Sequence, residues 1–216
     1  MMRRMVAALK PEPPAKSRIG PYTWDDFVVL PDDDKRELID GHFIEVDVPT
    51  YDHEAIVAVL IFHIYGWAKV HGGRTLASGY KIKVSPKRGL MPDAQYYRAG
   101  RRPQLQGLTE GAPDLGVEII SPSSGRYDRV TKLESYRAIG MPEYWLIDPV
   151  EQTLHRFVLI DDAYRVEALD GDRVFSPDTF PGLELPLAEL WATMLSADAS
   201  TSAADPASTS ATPEES

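Results

Sequence analysis

One stretch of the sequence decides the fold: PDLGVEIISPSSGRYDRVTKLESYRAIGMPEYWLIDP, residues 113–149. Its first run, DLGVEII, predicts a short strand that SPSSG ends. The amphipathic run YDRVTKLESYRAIG predicts a helix that closes at Gly140, because glycine is the usual residue just past a helix C-terminus. EYWLID predicts another strand. This order of elements indicates a mixed sheet with helices packed on it.

Upstream, the sequence predicts a short helix, a hairpin, a long helix and two strands. Thr23 is a plausible N-cap for the helix in YTWDDFVVLP, and the Asp40-Gly41 pair predicts a type I′ turn in RELIDGHFIEV. Helical spacing of apolar residues predicts a buried helix over residues 52–70. Alternation predicts one strand over residues 76–84, and PDAQYY a second.

Downstream, TLHRFVLI, YRVEAL and RVFS predict an antiparallel meander, and PLAELWATML a final short helix. The predicted fold class is therefore α/β, with a mixed β-sheet flanked by helices, an N-terminal β-hairpin and a C-terminal antiparallel meander. We expect one folded domain over residues 19–195. Residues 1–18 are predicted to be a disordered basic arm, and residues 196–216, rich in Ser, Ala, Thr and acid, a disordered tail.

Composition restricts the function classes. The chain has no cysteine, so disulfides, thiolate nucleophiles and cysteine-based zinc sites are excluded, and a reducing cytoplasm is the expected location. No stretch approaches the ~18 apolar residues that a membrane span would need, so no membrane partner is expected. The net charge of −10 argues against indiscriminate binding to nucleic acid.

One basic stretch partly offsets that charge. Around the single acid Asp93, residues 81–102 hold seven bases, which are solvated charges on one interpretation and a nucleic-acid surface on the other. The seven are Lys81, Lys83, Lys87, Arg88, Arg98, Arg101 and Arg102.

Glu118 is the most informative residue. Strand alternation places it on the face opposite to Leu115 and Val117, inside an apolar run. Burying an ionised carboxylate costs several kcal/mol unless it is paired with a base or bound to a metal. Both explanations, a structural ion pair and a metal site, stay open.

Asp93 and Lys132 are candidate partners of Glu118. Asp93 starts a strand that a simple hairpin connection would place beside the Glu118 strand, so the two carboxylates could converge on Mg²⁺, which prefers oxygen ligands. Lys132 lies on the following helix, where its long side chain could reach the end of the sheet. Alternatively, Lys132 forms a surface i,i+4 pair with Asp128.

The segments MPDAQYY, RELIDGHFIEV and residues 113–149 resemble the PD-(D/E)XK nuclease superfamily, and specifically its bacterial restriction-endonuclease-like Uma-two family. The similarity covers roughly residues 20–194. The resemblance implies a restriction-endonuclease-like fold and a Mg²⁺-dependent endonuclease acting on DNA, with Mn²⁺ as a substitute. It makes Asp93 and Glu118 the metal ligands and Lys132 the catalytic lysine. The chain departs from the superfamily at Ile120, where the pattern has lysine.

Glu37 and His53 match family-like positions and are second-tier site candidates. A homodimer is a further expectation, since cutting both strands needs two sites. The main rival hypothesis is a catalytically weak or inactive nuclease-fold module that binds nucleic acid or a protein partner. A third is a structural domain in which Asp93, Glu118 and Lys132 form a buried ion-pair network.

Overall fold

A computed structural model describes residues 19–31, 33–101, 104, 107–121 and 126–195, without the side chains of residues 126–129. The predicted basic arm and acidic tail lie outside these ranges, and the domain limits at 19 and 195 stay a prediction. Within the described residues the fold is a mixed α/β architecture, which confirms the predicted class.

The N-terminal elements follow the sequence closely. Helix α1 (Trp24–Val28) is capped by Thr23, whose side chain accepts from the Asp26 N–H while the Asp26 carboxylate accepts from the Thr23 N–H. Strands β1 (Glu37–Ile39) and β2 (His42–Ile44) form the predicted hairpin. Its turn residues Asp40 and Gly41 have φ of 49° and 78°, as a type I′ turn requires.

Helix α2 (Tyr51–His71) begins after the N-cap Thr50 and packs against the sheet through a buried face that includes Ile56, Leu60 and Ile64. By length and composition alone it could also cross a membrane. The expectation that no stretch has this character is therefore wrong. Only one face of α2 packs on the larger sheet, and Phe62, Tyr65 and Val70 are exposed, so the helix is less buried than the sequence predicted.

The predicted single strand over residues 76–84 is two strands that belong to different sheets. Strand β3 (Arg74–Ala77) ends before Gly79, whose φ of 102° turns the chain, and β4 (Ile82–Ser85) starts after it. Alternation alone could not reveal this break, because Leu76, Tyr80 and Val84 keep the same period across the turn. Strand β5 (Arg88–Leu90), which the sequence did not predict, pairs with both β4 and β1.

The described strands form two main sheets and a separate two-stranded one. The smaller main sheet has the order β2-β1-β5-β4. The larger one uses β6 (Ala94–Tyr97), β7 (Leu115–Ile119), β8 (Glu143–Asp148), β9 (Thr153–Ile160) and β10 (Ala163–Asp170), in the order β10-β9-β8-β7-β6-β3. Its β7–β8 pairing is parallel and its other pairings are antiparallel, so the sheet is mixed.

Helices cover both faces of the larger sheet. On one face lie α2 and α4 (Leu187–Ala192), and on the other lies α3 (Arg126–Ala138), which crosses between β7 and β8. The predicted meander is β8-β9-β10. The RVFS segment does not extend it, because β11 (Val174–Phe175) pairs with β12 (Leu185–Pro186) in a separate two-stranded sheet.

Candidate functional site

The register of β6 and β7 brings Asp93 and Glu118 together. Ala94 pairs with Val117 in this antiparallel ladder, so the next step outward places Asp93 across from Glu118. The two acids therefore meet at the end of neighbouring strands, as the hairpin argument predicted.

Asp93 is held by two donors on one of its oxygens. The backbone N–H of Ile119 donates to Oδ2 over 2.8 Å, and His53 Nε2 lies 3.2 Å from the same atom. His53 comes from the first turn of α2, on the opposite face of the sheet from α3. None of the described residues donates to Asp93 Oδ1, which leaves that oxygen available to a ligand.

Glu118 is held by two side chains of α3. Lys132 Nζ lies 3.1 Å from Oε2, and the Tyr136 hydroxyl donates a short hydrogen bond to Oε1. Because the two residues are four apart, they project from one face of the helix. Glu118 itself is only 6% exposed, which confirms the prediction that this carboxylate is buried.

Tyr136 is the residue that sequence reasoning missed, since a tyrosine in the apolar stripe of a helix ordinarily serves only in packing. Burial, with the negative charges of Glu118 and Glu37, raises the pKa of Tyr136 well above its usual value, so the hydroxyl stays protonated and donates. The available signal was the Lys132–Tyr136 spacing on a helix that follows the Glu118 strand.

Lys132 also bridges to the smaller sheet. Its Nζ lies 3.3 Å from Oε1 of Glu37, the first residue of β1, and that oxygen accepts from the Met91 N–H over 3.0 Å. The Lys132 side chain is 12% exposed, so a solvent-exposed surface pair does not describe it; the side chain of Asp128 lies outside the described residues. We refer to Glu37, His53, Asp93, Glu118 and Lys132 together as the acidic site.

Negative charge accumulates in the acidic site. Burial raises the pKa of Glu118 to about 8; Asp93 and Glu37 add to the rise, while Lys132 and the Tyr136 hydrogen bond oppose it. The ionised form of this carboxyl is therefore costly, and a further positive charge would offset that cost.

The pKa of His53 is shifted in the direction that favours its positively charged form. Burial lowers the pKa of His53, but the hydrogen bond and charge of Asp93, together with Glu54, outweigh burial, so the pKa is raised. His53 Nδ1 lies 3.5 Å from Glu54 Oε1 and makes no hydrogen bond within the described residues. The charged form of His53 is thus favoured beside Oδ2 of Asp93.

The donor set suits a hard cation that keeps most of its water. Among the described residues, no three His, Asp or Glu side chains form a ready ligand cluster. Mg²⁺ does not need one, because it commonly binds one or two carboxylates and completes its octahedron with water and phosphate. Asp93 and Glu118, oxygen donors on adjacent strands with a surplus of negative charge, fit that requirement.

The basic stretch around Asp93 mainly stabilises the fold. Lys81 is buried and donates to the Leu30 carbonyl, and Lys87 donates to three backbone carbonyls near the start of α1. Arg88 pairs with Asp40. Arg98 and Arg101 both contact Asp114, and Arg102 lies outside the described residues. The structural interpretation therefore accounts for five of the seven bases.

Two comparisons with known proteins bear on the family and the fold of the chain. Residues 24–188 match the model of a family described as "Putative restriction endonuclease". The fold resembles that of a crystal structure from Anabaena variabilis described as a "putative nuclease", with a TM-score of 0.68, 24% sequence identity, and coverage of 81% of this chain and 100% of that chain. At this identity the likeness is one of fold. No curated protein matches the chain.

Proposed function

Because the chain belongs to the Uma-two family of restriction-endonuclease-like proteins, we propose that it is a Mg²⁺-dependent endonuclease that hydrolyses phosphodiester bonds in DNA. Mn²⁺ is expected to replace Mg²⁺, since both favour carboxylate oxygens and water. The observation that carries the proposal is the meeting of Asp93 and Glu118 across β6 and β7, with a lysine beside them.

The charge balance supports a cation as the natural occupant. Glu37 and Asp93 add negative charge near the buried Glu118, so burial and these two acids both raise the pKa of Glu118. A divalent ion would let Glu118 ionise, because a bound cation reverses the local preference for the protonated acid. Asp93 Oδ1 and Glu118 Oε2 are the oxygens best placed to hold it.

When bound, the metal would polarise the scissile phosphate and lower the pKa of a water molecule. The protein's own residues do the positioning. His53 and the Ile119 N–H fix Asp93, and the ammonium of Lys132 supplies positive charge that can stabilise the phosphate as negative charge develops. Lys132 occupies this place although position 120 is isoleucine, because α3 brings it to Glu118 from the following helix.

Tyr136 and Glu37 act on the residues that would touch the substrate. Tyr136 fixes Oε1 of Glu118 and so leaves Oε2 as the oxygen that alternates between Lys132 and a metal. Glu37 gives the Lys132 ammonium a second partner at 3.3 Å, which keeps the lysine in place if Glu118 turns to a cation. Such supporting partners typically change metal affinity or activity by ~10–100-fold.

Nicking of supercoiled plasmid tests the proposal. The wild-type chain should nick DNA in the presence of Mg²⁺ or Mn²⁺, and EDTA should stop the nicking. The Asp93→Asn variant should be inactive. Asp114→Asn is the matched control, since Asp114 also accepts a backbone N–H, that of Arg98 at the other end of the β6–β7 pair, over 2.9 Å. Nicking that persists in Asp93→Asn would contradict the proposal, and an RNA substrate of the same sequence tests the choice of DNA.

A second function is favoured by one specific observation. Both oxygens of Glu118 already have donors, Tyr136 and Lys132, and Lys132 is shared with Glu37. This arrangement also suits an inactive nuclease-fold module whose carboxylates serve only as an ion-pair network. Such a module would retard the gel migration of DNA or of a protein partner even with EDTA present. It would show no metal-dependent nicking and would not bind Mg²⁺ at Asp93 and Glu118.

A further inference from the structure

The outer edge of β10 offers backbone donors and acceptors that no strand of the described chain takes up. β10 is eight residues long and pairs with β9 in an unbroken register from Ala163–Ile160 to Asp170–Thr153. Edge strands are usually protected by short length, bulges, proline or lysine. β10 is long and has no proline and an unbroken register, and its charged side chains are Arg165, Glu167 and Asp170. β3, at the opposite edge of the sheet, is only four residues long.

The β9–β10 turn determines which residues point outward. Asp161 and Asp162 have φ of 47° and 62°, a two-residue type I′ turn, so the flanking Ile160 and Ala163 form a hydrogen-bonded pair. Along an antiparallel pair, successive residues alternate between facing the partner strand and facing away. The outward N–H and C=O groups therefore belong to Tyr164, Val166, Ala168 and Asp170.

Two copies of β10 can pair antiparallel with Val166 at the centre. In an antiparallel pairing centred there, Val166 pairs with Val166 of the second copy, and Tyr164 with Ala168 of the second copy. All of these residues have outward backbone groups, so each pair can exchange two hydrogen bonds. Val166 is 56% exposed and would gain an apolar contact across the axis.

The charges on the other face match in the same register. Arg165 falls opposite Glu167 of the second copy, and Glu167 opposite Arg165 of the second copy. These are non-hydrogen-bonded positions, where Cα atoms approach to about 4.5 Å and side chains interact most closely. Arg165 has no ion-pair partner among the described residues, and the Glu167 side chain is 58% exposed, 3.6 Å from Arg156.

We propose that this edge is a homodimer interface, in which β10 pairs with β10 of a second copy and the two six-stranded sheets join into one. The occupant is a second copy because the register that pairs the outward backbone groups of Tyr164, Val166 and Ala168 also matches opposite charges twice. The acidic site lies at β6 and β7, four and three strands in from this edge, so the interface leaves it open.

Light scattering on the full chain during size-exclusion chromatography tests the proposal. The wild type should have twice the mass of one chain. Arg165→Glu and Glu167→Arg should each be monomeric, because each places like charges opposite one another. An equimolar mixture of the two variants, and the double variant Arg165→Glu/Glu167→Arg, should recover the dimer mass. Arg74→Glu on β3 is the matched control and should stay dimeric.

Val166→Pro gives an independent check. The Val166 N–H points away from β9, so proline removes a hydrogen bond only from the proposed interface, and the variant should fold as a monomer. The proposal is overturned by a wild type that is monomeric throughout a dilution series, by a dimer that withstands both single charge reversals, or by dissociation in Arg74→Glu alone. Mg²⁺ binding at Asp93 and Glu118 should be the same in all monomeric variants.

Discussion

Two regions of the larger sheet bury charge, and they do so differently. At one end of the β7–β8 pair lies the acidic site, and at the other lies an arginine network of Glu143, Trp145, Arg156, Asp178 and Thr179. Leu115 pairs with Glu143 and Glu118 with Leu146 in the parallel ladder, so Glu118 and Glu143 are near opposite ends of neighbouring strands. The contrast shows which buried acid has a structural role.

Both carboxylate oxygens of Glu143 accept hydrogen bonds from protein donors. Its Oε1 accepts from Trp145 Nε1 over 2.7 Å and from Arg156 Nε over 2.9 Å, while Oε2 accepts from Arg156 and from the Thr179 hydroxyl. Arg156 also contacts Asp178 and Glu167, but both of those side chains are exposed, so Glu143 is its buried partner. Glu118 instead shares Lys132 with Glu37 and lies near Asp93. A satisfied acid stabilises a fold, whereas an acid with surplus neighbouring charge can bind a cation.

The largest effect that separates the two regions should come from Asp93→Asn. Asparagine can still accept the Ile119 N–H, but it removes the charge, so the loss of Mg²⁺ affinity should exceed the ~10–100-fold typical of supporting partners. Calorimetric titration with Mg²⁺ measures this. Asp114→Asn should titrate as the wild type does, and equal affinity in Asp93→Asn would remove Asp93 from the site.

Arg156→Met should have the second largest effect, and on stability alone. It leaves Glu143 buried without its base, which typically costs about 3–5 kcal/mol in free energy of unfolding. Urea denaturation measures the change. The exposed Arg173→Met, as a control, should stay within roughly 0.5 kcal/mol of the wild type. If Arg156→Met weakened Mg²⁺ binding as strongly as Asp93→Asn while remaining folded, the two regions would not be separate.

Tyr136→Phe should have the third largest effect. It removes one hydroxyl and leaves the ring packed against Tyr144, with the centroids 5.0 Å apart. Because it frees Oε1 of Glu118, Mg²⁺ affinity should fall by about 10–100-fold. The same titration gives the value. Tyr164→Phe is a suitable control, because its hydroxyl donates to the Met141 carbonyl outside the acidic site. A Tyr136→Phe protein that binds Mg²⁺ as tightly as the wild type would limit Tyr136 to packing.

The smallest effect, taken per pH unit, is a pH dependence of the stability of the metal-free protein. The pKa of Glu118 is raised from 4.5 to about 8, so between these values the folded state binds more protons than the unfolded state, and stability falls as pH rises. The slope is at most about 1.4 kcal/mol per pH unit. Urea midpoints from pH 5 to pH 8 should decline in the wild type and less steeply in Glu118→Gln; identical profiles would contradict the raised pKa.

Much of the fold could be predicted from residues 113–149, because the β7, α3 and β8 patterns there are local and each has a clear end signal. The break between β3 and β4 could not, since one period of alternation runs through Gly79 and only tertiary pairing divides it between two sheets. The N-terminal hairpin was predictable from Asp40-Gly41, whose turn geometry is set by two residues.

Some residues of the acidic site could likewise be predicted from the sequence, and others could not. Glu118 could be predicted because a carboxylate in an apolar strand has an energetic cost that local sequence reveals, and Asp93 because β6 and β7 follow one another. Lys132 reaches the site from a helix, and its placement depended on resemblance. The Glu37–Lys132 contact joins two sheets and the Tyr136 bond joins a helix to a strand, so neither is visible in local spacing.

Calorimetric titration of the full chain with Mg²⁺ at pH 8, for the wild type beside Glu118→Gln and Glu143→Gln, tests the central claim most directly. We predict saturable binding by the wild type, loss of binding in Glu118→Gln, and retained binding in Glu143→Gln if that variant remains folded by circular dichroism. Binding that survives in Glu118→Gln, or a wild type that binds neither Mg²⁺ nor Mn²⁺, would contradict a metal site at Asp93 and Glu118.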